Sequence, residues 1–312
     1  MRPIPLTILG GSDLAPGVLP PAGAGQHPLA AYKGAALRID GQPLIARVVE
    51  RFAACPAFGP IAIAGPERIY GGLVPGVRVI DTDADVGANV RAAIDAFLAG
   101  HPGGMLAVTA CDILPAADEL AALGELLEAS LPCDVWFPLV RAPEDPGEIG
   151  AFGWKPEYTL RLGPVGDAVH VLPGHLLVAD PRALRLELLY RLLGVAYRTR
   201  NRPVETRRSA MLRTTLLQLL WQDVLHVASL RLPDVTWTVL RNGLACARRL
   251  RAGTLTRERL ETYAGRVVLR ARHRWRHPEL GVRLPVVDAL SLAEDADTEE
   301  EARALGARLE RL

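Results

Sequence analysis

From Leu6 to about Pro181, short apolar runs alternate with stretches whose apolar residues recur at helical spacing. That is the pattern of βαβ units around a mostly parallel sheet. Leu6-Thr7-Ile8-Leu9 runs into Gly10-Gly11, and Pro60-Ile61-Ala62-Ile63-Ala64 runs into Gly65-Pro66; each predicts a buried strand closed by a turn. Between them, Leu44, Ile45, Val48, Val49 and Phe52 share one face of a helix that starts at Pro43, where a missing N–H costs nothing. Residues 77–81 and 89–97 predict a further strand and helix, and 105–110 a strand that stops at Cys111-Asp112. Residues 135–140 and 168–172 add strands that make the sheet mixed, with Pro138 placing the first of them near an edge.

After Asp180-Pro181 the texture changes. Residues 184–193, 209–230, 235–250 and 256–264 read as helices separated by Pro203, Pro233 and Gly253. Residues 267–274 return to strand-like alternation, and 297–312 form a charged helix with Ala302, Leu305, Leu309 and Leu312 at helical spacing. The expected division is an α/β core over 1–181, an α-helical insertion or subdomain over 182–264, and return strands with a C-terminal helix over 265–312 that complete the core.

The chain has 312 residues, of which 49% are apolar, ample for a packed core. Lys plus Arg total 36 against 35 Asp plus Glu, so the overall field does not favour a polyanion, and nucleic acid is not the expected partner. Cys55, Cys111, Cys133 and Cys246 are widely spaced without a C-x-x-C pair, which argues against a zinc knuckle or disulfide framework and fits a reducing cytoplasm. The apolar start is too short for a signal peptide. The most apolar later stretch, 211–230, carries Arg213 and Asp223, each unfavourable by about 2.5–3.5 kcal/mol in a bilayer centre, so no transmembrane helix is expected.

The chemistry gathers at strand ends. Leu9-Gly10-Gly11 is a turn whose backbone N–H groups can approach a phosphate or base without hindrance. Lys33-Gly34-Ala35-Ala36-Leu37-Arg38-Ile39-Asp40-Gly41-Gln42-Pro43-Leu44-Ile45 joins a lysine, an apolar piece, a glycine turn and a proline-started helix, and Thr109-Ala110-Cys111-Asp112-Ile113-Leu114-Pro115 puts an acid at a strand's carboxyl end. Together these segments resemble MobA-like nucleotidyltransferases, with their L-x-G-G turn, K-x-L-L-x-x-x-G-x-P-L-I run and C-D-x-P strand end. The lysine matches as Lys33 with one residue inserted, because counting back from Gly41 lands on Gly34. The segment 12–32 is longer than the family's loop and contains no arginine.

The resemblance implies a Rossmann-like three-layer α/β/α mixed sheet of the glycosyltransferase-A type, with an α-helical insertion. It implies that 1–181 binds nucleotide through Leu9, Gly10, Gly11, Lys33, Gly65 and Asn89, with Lys33 and Asp112 as the catalytic pair. Asp112 would bind Mg²⁺, joined by Asp297 or else Asp295 from an expected closing strand, D-x-D-T and helix near 290–302; Asp288 is a third candidate. Acids there also suit a helix N-terminus without any metal. Asn89 is read as a helix cap or a base contact. Gly174 and His175 are read as an acceptor contact, His175 alternatively as structural. Arg270, Arg272, Arg274 and Arg276 would share one face of a strand, either a solvated edge or a seat for an anion.

The implied reaction moves a nucleoside monophosphate from a nucleoside triphosphate to a phosphorylated small-molecule or lipid-linked acceptor, releasing pyrophosphate. A nucleotide-sugar glycosyltransferase and a catalytically silent binding or scaffold protein are the alternatives, and a homo-oligomer is left open. Ser-His-Asp order, H-E-x-x-H, the Walker motif and G-x-G-x-x-G are absent from the sequence.

Overall fold

A computed structural model describes residues 2–10, 32–101, 103–144, 157–163, 166–198, 216–228 apart from 218, 222 and 226, and 235–309. Gly11, the segment through 31, and the expected helical starts between 199 and 215 lie outside the described residues.

The expected first strands form as β1 (Ile4–Leu9), β4 (Phe58–Gly65), β5 (Arg78–Asp81) and β6 (Leu106–Ala110), all parallel, with β1 between β4 and β6. Between β1 and β4 lie helix α1 (Lys33–Ala36), the short hairpin β2 (Arg38–Ile39) and β3 (Gln42–Pro43), and helix α2 (Leu44–Ala53). Asp40 and Gly41 turn that hairpin with φ of 50° and 78°, the doubly positive backbone that an Asp-Gly two-residue loop supplies. The sheet continues through β11 (Leu176–Ala179), antiparallel to β6, then β7 (Val135–Trp136) and β12 (Val282–Arg283). The seven strands run in the order β12-β7-β11-β6-β1-β4-β5.

Alternation along the strands builds the layers. Leu6 and Ile8 of β1 and Ala107 of β6 join Leu44, Ile45, Val48 and Phe52 of α2 and Leu120, Leu123 and Leu127 of helix α5 (Ala117–Ser130) in one core. Leu106 and Val108 of β6 point the other way, onto Val90, Ile94 and Phe97 of helix α4 (Val86–Gly100) and Tyr190 of helix α6 (Leu186–Arg198). Each such Leu or Ile, fully buried, contributes roughly 1.5–3 kcal/mol over an exposed one. The result is the three-layer α/β/α mixed sheet. Although α6 falls within the expected insertion, it packs on this sheet.

Several local expectations are corrected. Pro138 does not mark an edge. It separates β7, which pairs on both sides, from β8 (Leu139–Arg141), which belongs to a second sheet of order β13-β8-β10-β9. The other members are β9 (Tyr158–Arg161), β10 (Ala168–Pro173) and β13 (Val286–Val287). A residue without an N–H suits the point where the chain changes ladders. Residues 267–274 are not a strand: helix α8 (Arg257–Val268) and helix α9 (Ala271–Arg276) meet there, with Leu269 bridging to Leu184. The helix α7 (Val235–Arg251) lies against β9 of the second sheet and α8 against β12 of the first, and Leu255, Leu269, Leu160 and Val171 are buried together in one cluster. Finally, 290–297 contains no strand. A single 3-10 turn (Leu290–Leu292) leads through an irregular segment to helix α10 (Glu299–Leu309).

Candidate active site

The parallel strands β1, β4 and β6 end on one edge of the sheet, where open α/β sheets bind ligands. Gly10 donates its N–H to Ala64 O at 2.8 Å. A Cβ on Gly10 or on Gly65 would lie 2.7 Å from the ring of Tyr70. The ring of helix α3 (Glu67–Tyr70) is 1% exposed and wedges over both strand ends, so neither glycine can be replaced without displacing it. Gly34 is similarly confined: its Cβ would sit 3.0 Å from Cβ and 3.2 Å from Sγ of Cys111. The bare backbone at Gly34 lets α1 lie against the end of β6, which carries the preceding Lys33 to Asp112.

Lys33 Nζ donates to Asp112 Oδ2 at 3.1 Å and forms a second, shorter contact with Asp297 Oδ1. The three residues come from segments 79 and 264 positions apart. The irregular segment before α10 is tied to the β6 end by Ala296 N–H donating to Asp112 O at 2.7 Å. Glu301 Oε2 accepts from the N–H groups of Asp297 and Thr298 at 2.7 and 3.0 Å, while Thr298 Oγ1 accepts from Glu301 N–H. This is a capping box, which satisfies orphan donors at the start of α10. Glu294, 3% exposed, pairs with both guanidinium nitrogens of Arg308 and anchors the segment to the helix.

Asp295 completes the cluster. One carboxylate oxygen each from Asp112, Asp295 and Asp297 lies within 4.8 Å of the other two. Burial acts first on every group. It would lower the Lys33 ammonium, but Asp112, then Asp297, outweigh it and raise Lys33 above its ordinary value. Burial would likewise raise Asp112, yet Lys33 and then His175 hold it below the ordinary carboxylate value. At Asp297 burial prevails over Lys33, helped by Asp295, and the carboxyl is raised. Three carboxyl groups converge on one ammonium, an excess of acidic groups over basic ones. That excess and the all-oxygen donor set fit a hard divalent cation such as Mg²⁺.

Around this centre, His175 is half-buried; its N–H donates to Leu292 O at 2.9 Å and its carbonyl accepts from Thr109 Oγ1 at 2.8 Å. Gly174 is pinned at Pro138, whose carbonyl a Cβ would approach to 2.8 Å. Asn89 is 1% exposed and spends its amide on Thr82 Oγ1 and Ala84 O; the cap of α4 is Asp85, which accepts from Ala88 N–H. Asp288 lies apart from the cluster and pairs with Arg141 at 2.8 Å. The rim formed by Tyr32, Arg68 and Asp83 was not singled out in the sequence. The Tyr32 hydroxyl lies 2.9 Å from Asp83 Oδ1, and Arg68 Nη2 donates to both Tyr32 and Asp83. Only the adjacency of Tyr32 to Lys33, and of Glu67-Arg68 to a strand end, hinted at it.

No family model matches the chain, and neither does any curated protein. Among solved structures, one described as a hypothetical transferase from Thermus thermophilus superposes with TM-score 0.54 at 19% identity, over 97% of this chain and 100% of that one. A CMP:2-keto-3-deoxy-manno-octonic acid synthetase complexed with CTP gives 0.46 at 13%, over 98% of both chains. A 4-diphosphocytidyl-2C-methyl-D-erythritol synthase from Anaerococcus prevotii gives 0.46 at 8%, over 99% of both. The first of these likenesses shows that the fold is shared.

Proposed function

We propose that the chain is a nucleotidyltransferase, moving a nucleoside monophosphate from a nucleoside triphosphate to a phosphorylated acceptor. The observation that carries this reading is the convergence of Lys33, Asp112 and Asp297 at the carboxyl end of β6, next to β1, which ends at Gly10. A solved structure of the same fold described as a transferase supports it, as does the resemblance of the N-terminal segments to MobA-like enzymes. On this reading residues 1–181 and 265–312 form the nucleotide-binding core together with α6, and the rest of 182–264 is the helical insertion.

Asp112 and Asp297, with Asp295 beside them, would hold Mg²⁺, which when bound supplies positive charge against the triphosphate. Lys33 is positioned to neutralise phosphate oxygens, and the backbone around Gly10 to approach them. The acceptor's phosphate oxygen forms a bond to the α-phosphorus while the bond from that phosphorus to the β-bridging oxygen breaks, and pyrophosphate leaves with the electron pair. No side chain serves as nucleophile. Alignment and charge are what the residues contribute. His175, whose charge reaches Asp112, is placed to meet an anionic acceptor.

A thermal-shift panel of ATP, CTP, GTP and UTP with Mg²⁺ tests the reading. One nucleotide at hundredfold excess over its Kd stabilises by roughly 2.7 kcal/mol, and the shift is expected to vanish in Asp112→Ala. Pyrophosphate release with sugar-phosphate acceptors then identifies the reaction. Sugar transfer without pyrophosphate would instead establish a glycosyltransferase, and no shift with any nucleotide would sink both.

A further inference from the structure

The helical region carries an outward face that the catalytic reading does not use. Leu219, fully buried, and Val239 of α7 pack together with Leu188 of α6, so helical residues 216–228 and α7 turn the same kind of side inward. The side opposite Leu219, at helical spacing, presents Leu217, Trp221 and Val224, which are 59%, 58% and 56% exposed. The side opposite Val239 presents Trp237, Arg241, Leu244 and Arg248, all exposed, with Trp237 at 68%. Asp223, on the inner flank, accepts from Thr236 N–H at 2.9 Å and so joins the two helices.

The two rows point away from the packed Leu219 and Val239, and the α7 row, where Trp237, Arg241, Leu244 and Arg248 share one side, exposes large apolar side chains together as an interaction surface does. The charge decides which kind. Over 235–251 there are four arginines and no acidic residue, so the apolar row is interleaved with positive charge alone. Trp and Leu beside Arg, on helices whose other side is packed on a protein body, match the chemistry of a headgroup and acyl-chain boundary: the rings enter the interface and the guanidinium groups meet phosphates. No helix among the described residues is long and apolar enough to cross a membrane, so the contact would be peripheral. We propose that this side of α7 seats the protein on an anionic lipid bilayer, independently of what the strand-end site catalyses.

The test uses the full chain with vesicles of phosphatidylcholine alone or mixed with phosphatidylglycerol, read by flotation and by tryptophan emission. Binding to the anionic vesicles, a blue shift of emission and release by salt are expected. Arg241→Ala with Arg248→Ala should lower the vesicle partition coefficient by about fivefold for each arginine. Trp237→Glu with Leu244→Glu should abolish binding while the circular dichroism spectrum stays that of the parent. If that pair fails to fold, the arginine pair and the salt dependence decide the matter. Failure to bind anionic vesicles at low salt, or equal binding to neutral ones, overturns the proposal. So does a dimer in size-exclusion chromatography that the Trp237 and Leu244 pair dissolves without any lipid binding, since the face would then join two copies of this chain.

Discussion

Asp112 and Asp297 share Lys33, yet their titrations run in opposite directions. Asp112 lies below the ordinary 3.8 because Lys33 and His175 outweigh its burial; its contribution to stability is therefore present above pH 3.8 and lost as the pH falls through the lowered value. Asp297 lies above 3.8 because burial outweighs Lys33, so its contribution is present below pH 3.8 and lost as the pH rises through the raised value. At pH 7, Asp112→Asn is expected to cost about 2 kcal/mol, as for a hydrogen bond to a charged group. Asp297→Asn should cost less, and the difference should narrow by pH 3.5. Urea denaturation at the two pH values measures this, and equal costs at both would contradict the assigned directions. Lys33→Met removes the ammonium that both acids share and should cost about 3 kcal/mol or more. If the cluster holds a divalent ion, millimolar Mg²⁺ should restore more stability to this variant than it adds to the parent protein.

At the scale of elements, the segment before α10 is fixed by the Thr298 and Glu301 capping box and by the Glu294 pair with Arg308. Thr298→Ala should cost about 1 kcal/mol. Because Glu301 also holds the N–H of Asp297, Glu301→Ala should weaken Mg²⁺-dependent nucleotide binding more than Thr298→Ala does at comparable loss of stability. Isothermal titration of the two variants distinguishes them, and equal affinities would show that the cap does not position the acid. The strands β1, β4, β5 and β6 and the helix α2 were legible because apolar period and turn residues agree there. The acids of 295–297 were legible as candidates, but the expected strand before them was not formed, since Ser291 turns inward to Glu119 and Ala116 and a 3-10 turn results. Such a long-range bond leaves no local period. Tyr70 is the same kind of omission: its ring fills the space that Gly10 and Gly65 leave, and nothing near Tyr70 in sequence announces two partners on separate strands.

At the scale of the whole molecule, the basic run 270–276 shows how tertiary contacts decide what alternation cannot. Its arginines alternate as a strand would require, yet α9 forms instead, and His273 reaches Asp134 at 2.7 Å, beside β7. Asp134 is 1% exposed, and its carboxyl is raised because burial outweighs the bond to His273. The contact thus joins the returning chain to the central sheet through a carboxylate that the fold holds at an unfavourable charge. His273→Ala leaves that group without this partner and is expected to destabilise by about 3 kcal/mol at pH 8, where the carboxylate must stay charged or take up a proton. As the pH falls, protonation removes the buried charge. A carboxyl raised in the folded state gives stability that is fully present below pH 3.8 and lost as the pH rises through its folded value. The cost of His273→Ala should accordingly shrink at pH 3.5, and Asp134→Asn, neutral at every pH, should show a smaller and flatter loss. Urea denaturation of the two variants at pH 3.5 and pH 8 provides the comparison. A His273→Ala cost that is equal at both would mean that α9 is held by packing alone, and that the buried pair does not link the C-terminal return to the sheet.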